Sequence, residues 1–112
     1  MVETTLQQRT KDYSLKIVHL FRALPKTSEA QILGKQLLRS GTSVGANTRS
    51  AFRGRSEKEF KAKLGIVVEE ADEAIFWLEL LKESGIINSN EVDYLISESD
   101  NLISIFVSIL KK

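Results

Sequence analysis

Four stretches of apolar residues recurring every three or four positions, separated by short polar breaks, constrain this chain most. Only a helix puts such a spacing on one face. The first carries Tyr13, Ile17, Leu20, Phe21 and Leu24 and stops at Pro25, the only proline, which cannot continue a helix. Beyond the polar PKTSE connection, Ile32, Leu33, Gln36, Leu37 and Val44 resume the period, with Thr27 or Ser28 as N-cap. Ser56-Glu57-Lys58-Glu59 has the capping-box form and marks a third start. Phe60, Leu64, Val67, Val68, Ala71, Ile75, Leu78 and Leu81 follow, ahead of Gly85, a natural left-handed terminator. Asn88 and Glu91 repeat the capping form before Val92, Leu95, Ile96, Leu102, Ile103, Phe106, Ile109 and Leu110.

Helices are therefore predicted at about 5–24, 28–53, 57–84 and 90–111. Short links force consecutive helices to lie side by side, so the predicted fold is all-α, an antiparallel up-down-up-down four-helix bundle. A chain of 112 residues suffices for one such domain, 1–112. The absence of cysteine removes disulfides, thiol nucleophiles and thiolate metal sites, and agrees with a reducing cytoplasm. The opening MVETTLQQRTKDYS is polar throughout, which predicts no secretory leader, and no apolar run approaches the roughly 20 residues a membrane span needs. A cytoplasmic, soluble protein is expected.

A formal charge of +1 conceals a polarised chain. Residues 35–63 hold eight Lys/Arg against two acids, whereas 64–112 hold three against ten. Arg49, Arg53, Arg55, Lys58, Lys61 and Lys63 surround the predicted turn between the second and third helices. In an up-down-up-down bundle that turn shares one end with both termini, so Arg9, Lys11, Lys111 and Lys112 join it, and long cationic side chains there can reach phosphates. A solvated charged face is the competing explanation. The opposite end collects Glu29, Glu79, Glu83, Glu91 and Asp93, offset by Lys26 and Lys82.

Within the second helix, Gly41 and Gly45 form a G-x-x-x-G pair, with Thr42, Ala46, Ser50 and Gly54 as a neighbouring small stripe. Small side chains let backbones approach, either inside the bundle or against another subunit. Glycines 41, 45 and 65 each cost about 1 kcal/mol in a helix interior, so close packing is expected to retain them. GTSVGAN lacks the lysine and hydroxyl of a phosphate-binding loop. Arg39, Ser43 and Asn47 share one face, and the hairpin places Arg39 within reach of Glu73 or Glu69, predicting a partly buried polar network that sets register.

Catalytic chemistry finds little support. Glu69, Glu70, Asp72 and Glu73 lack the Glu-x-x-His pattern of carboxylate-bridged metal bundles, and His19 is the only histidine. No metal, cofactor or small-molecule substrate is expected, and the chain reads as non-enzymatic. The segment AIFWLELL widens the apolar arc of the third helix through Phe76 and Trp77, and Ile105 and Val107 do so on the fourth. An apolar surface of that kind predicts a homo-oligomer, with Gly41, Gly45, Phe76, Trp77 and Ile105 as candidate interface.

The run Gln36-Leu37-Leu38-Arg39-Ser40-Gly41-Thr42-Ser43-Val44-Gly45-Ala46-Asn47 resembles a segment of the 23S ribosomal RNA intervening-sequence proteins. So do Arg55-Ser56 with Glu59-Phe60, and Glu70-Ala71-Asp72-Glu73 followed by Trp77-Leu78. The resemblance covers nearly the whole chain. It implies a four-helix bundle assembling as a ring-like homopentamer, related to the accessory variability proteins of diversity-generating retroelements, which are basic pentameric barrels binding nucleic acid. The chain departs from the family after Asn47, with Thr48-Arg49-Ser50-Ala51 replacing the commoner N-[IV]-A-E-G continuation. Two functions follow as expectations: an oligomeric module binding RNA or DNA through the basic pole, or a protein-binding scaffold whose charged poles serve solubility.

Overall fold

The computed structural model describes residues 2–112, with side chains from Thr5 onward, and these residues form four helices. They are α1 Val2–Ala23, α2 Ser28–Phe52, α3 Glu57–Glu83 and α4 Asn90–Leu110. Three of the predicted spans agree to within a residue at each end; α1 starts earlier than expected.

Contacts across the seams run in opposite directions. Gly34 meets Leu24 and Phe21, Gly41 meets Ile17, and Gly45 meets Ser14. Phe52 packs edge-on against Phe60 while Arg39 reaches Glu70 and Glu73. Lys82 pairs with Asp93 beside the α3–α4 connection, and Arg9 with Glu98 where α4 returns to α1. The result is an antiparallel four-helix bundle measuring 44 × 20 × 20 Å.

Local sequence explains the helix boundaries. Thr27 Oγ1 accepts the Ala30 N–H at 3.4 Å, and Ser56 Oγ accepts the Glu59 N–H at 3.1 Å, each satisfying a donor that the first turn leaves open. Gly85, at φ 81°, ends α3 in the left-handed conformation expected of it. The second capping expectation is corrected: Ser89, not Asn88, occupies the N-cap of α4, and its hydroxyl makes no cap bond. Ser89 backbone is extended, so the helix starts one residue later than an Asn88 cap would require.

The core forms along the predicted stripes, with Tyr13, Ile17, Leu37, Val44, Leu64, Val67, Leu78, Leu81, Leu95, Leu102 and Phe106 fully buried. On α2 the buried face is built largely from small residues, Ala30, Gly34, Ser40, Gly41, Thr48 and Ala51, while Ile32, expected inside, is 64% exposed. Four buried hydroxyls are satisfied within their own helices: Thr10 donates to Leu6 O, Ser40 to Gln36 O, Thr48 to Val44 O and Ser99 to Leu95 O. Bonded back to the preceding turn, they pack as small groups rather than as orphaned polar ones.

The candidate-interface role of the glycine pair is corrected as well. A Cβ on Gly41 would lie 2.7 Å from the Ile17 side chain, and one on Gly45 would lie 2.6 Å from Ser14 Oγ. Both glycines therefore serve the α1–α2 contact inside the chain. Ser14 wedges into this notch, donating to the Gly41 carbonyl at 3.0 Å and accepting the Gly45 N–H at 3.2 Å. Gly65 lacks the packing reason expected of it, since nothing lies near where its Cβ would stand.

Candidate nucleic-acid interface

The turn between α2 and α3 arises from three local choices. Arg53 closes α2 by donating its N–H to the Ser50 carbonyl, Gly54 donates its own N–H to the Ala51 carbonyl, and Ser56 restarts the chain as N-cap. Phe52 and Phe60, their ring centroids 5.3 Å apart, pack beneath the turn. Arg53, Arg55 and Lys58 consequently stand exposed at its tip, with Arg49 exposed one turn below. Antiparallel packing brings Lys111 and Lys112, also exposed, to the same end.

The predicted cations divide by what they already hold. Among the described residues, no carboxylate lies within ion-pair distance of Arg49, Arg53, Arg55, Lys58, Lys111 or Lys112. Lys61 is different, meeting Glu57 one turn earlier at 3.3 Å, an exposed pair worth a few tenths of a kcal/mol. Arg9 is the clear correction to the expected phosphate-binding set. Its Nε and Nη2 each donate to Glu98 at 2.8 Å, a bidentate clamp between α1 and α4. That bond raises the Arg9 pKa above its ordinary value.

Glu98 is only 7% exposed, and sequence reasoning missed it. The signal lay in its spacing: Glu98 and Ser99 fall between Leu95 and Leu102, where the apolar period calls for an inward residue. Beside the clamp, Tyr13 OH and Ser99 Oγ share a 2.6 Å hydrogen bond. Burial pushes the Tyr13 phenol up to about 12, against the opposing pull of that bond.

Between α1 and α2, Lys11 and Arg49 flank a groove of about 260 Å³ whose lining, among the described residues, includes Gly45 and Ala46 and no carboxylate. The nearest acid on α1, Asp12, lines the opposite seam, where it accepts a 2.9 Å bond from Gln8 Nε2. Lys11 thus stands with Arg49 rather than with the pole's other lysines.

The expected polar network separates into two pieces. Arg39 Nη1 meets Glu70 at 3.1 Å and its Nη2 meets Glu73, which also accepts the Trp77 indole N–H at 2.9 Å. Half-exposed Arg39 makes this a surface clip rather than the partly buried pair expected, and Glu70 takes the place anticipated for Glu69, which is exposed. Asn47 Nδ2 donates to Ser43 O and Oγ, leaving those two separate from Arg39. One helical turn from the clip, Phe76 is 51% exposed and stacks edge-on against the partly buried Trp77. Ile105 is instead partly buried against the core.

Among the described residues, no three His, Asp or Glu are placed to hold a metal ion, and no helix is long and apolar enough to cross a membrane. No curated protein matches the chain. A solved structure of a protein of unknown function from the S23 ribosomal protein family of Bacteroides thetaiotaomicron is similar. It superposes with a TM-score of 0.88 at 33% identity, covering 96% of this chain and 99% of its own. The sequence profile for 23S rRNA-intervening sequence proteins matches residues 3–108. With the four-helix fold and these matches over nearly its full length, the chain belongs to the 23S rRNA-intervening sequence protein family.

Proposed function

We propose that this protein is a non-enzymatic homo-oligomer that binds RNA or DNA through the end of the bundle carrying the α2–α3 turn. The observation that carries the reading is the group of exposed cations there, Arg49, Arg53, Arg55, Lys58, Lys111 and Lys112, none with a carboxylate partner among the described residues. Cations already paired within the chain lose much of their value to a phosphate; these keep theirs. Self-association is supported by the exposure of Phe76 and Ile32, and the pentamer is the assembly that the family resemblance implies. Repetition around a ring would multiply weak phosphate contacts into useful affinity.

Fluorescence anisotropy with labelled RNA and DNA duplexes over a range of KCl concentrations tests the binding. The wild type should bind with an affinity that falls steeply with salt, and Arg53→Glu, Arg55→Glu and Lys58→Glu together should abolish it. Salt-independent or absent binding by the wild type would leave the scaffold reading in its place. Native mass spectrometry reads the subunit count on the same samples, and a monomer at micromolar concentration would defeat the oligomer.

A further inference from the structure

We infer that the groove between α1 and α2 is a phosphate seat, in which Lys11 and Arg49 together hold one phosphate of a nucleic-acid backbone. The inference rests on the nucleic-acid reading and adds to it a specific place and stoichiometry. Two cations from different helices stand on opposite lips of one depression, with no acid in its lining among the described residues. The depression exists because of the helix contact beneath it. Gly45 has no side chain to fill it, and Ser14, which could, is turned into the α2 backbone by its bonds to Gly41 O and Gly45 N. Exposed Ala46 adds only a methyl group. The groove has room for a compact tetrahedral anion, and among the described residues no aromatic ring lines it to stack a base. Arg53, one turn beyond Arg49, continues the positive line toward the turn, so a strand seated in the groove leads onto the pole.

A shared seat has a signature that two independent surface contacts lack. Each neutralised phosphate contributes about 0.9 to the slope of log affinity against log salt on a duplex. Lys11→Gln with Arg49→Gln should therefore lower the slope by about 1, and the two substitutions should be non-additive in a double-mutant cycle. A fall of about 2 with additive effects overturns the shared seat. Ala46→Glu, which puts a carboxylate in the groove, should weaken binding about tenfold relative to the neutral control Ala46→Gln, on labelled 20-base-pair RNA and DNA alike. All three positions are at the surface, and circular dichroism confirms that the variants fold. Should Lys11→Gln/Arg49→Gln and Ala46→Glu bind as the wild type does while Arg53→Gln/Arg55→Gln/Lys58→Gln does not, the seat fails and the basic pole stands. Should the wild type show no salt-dependent binding, both fail.

Discussion

The two seams that α1 makes are closed by opposite means. Against α2 it packs through absences: Gly34, Gly41 and Gly45 let Leu24, Ile17 and Ser14 press close to the partner backbone. Against α4 it keeps more distance, leaves an open groove, and is joined by the Arg9–Glu98 clamp and the Tyr13–Ser99 bond. A four-residue connection tethers α1 to α2, so close packing there costs little further chain entropy. The α1–α4 seam has no such tether. It is closed by directional polar contacts, which also fix how far α4 can slide. Residues that fill space at one seam and residues that define position at the other should therefore respond differently to change.

Gly41→Leu should break the tight seam with the largest effect, about 3 kcal/mol of lost stability in urea denaturation, because the new side chain must displace Ile17 from a filled core. If the loss is under about 1 kcal/mol, the notch is not closely packed. Arg9→Ala should cost less, about 2 kcal/mol, since it strands Glu98 in a buried position but leaves a seam that water can enter, Arg9 itself being 38% exposed. The same change at Arg39, whose clip lies at the surface, should cost under about 1 kcal/mol. Equal losses at Arg9 and Arg39 would erase the distinction between a buried clamp and a surface clip.

Tyr13→Phe sharpens the comparison with a smaller change than Arg9→Ala at neutral pH, about 1 kcal/mol for one hydrogen bond. Its larger signature lies at high pH. The folded phenol is raised to about 12 from its ordinary value of 10.0, so the unfolded chain loses its proton first. The stabilising difference is intact below pH 10 and is lost as pH rises from 10 toward 12, by about 2–3 kcal/mol in all. Stability curves of wild type and Tyr13→Phe should therefore meet and cross within that window, and parallel curves would mean that Tyr13 ionises freely in the fold.

Much of the architecture was readable from spacing. Ser56 and Gly85 announced their boundaries because capping and left-handed termination depend on a few adjacent residues. Ile32 misled, since hydropathy alone does not reveal that Ala30, Gly34 and Leu37 already complete the inward face of α2. Glu98 was missed for the converse reason: its charge argues for the surface unless a partner is known, and that partner lies 89 residues away on another helix. Of the candidate site, the positive run around the turn was evident as a run, and the four-residue spacing of Glu57 and Lys61 marked that pair locally, but nothing local distinguished Arg9 from its neighbours.

Four amphipathic helices, their order, and the gathering of positive charge around one turn follow from the residues alone, because periodicity, capping and short connections act over a few residues. The tertiary structure alone decided which cations remain available, which small residues face a neighbouring helix, and that Lys11 joins Arg49 across a groove. Those outcomes depend on rotation and register between helices, where a shift of one residue turns a side chain by about 100° and exchanges one partner for another.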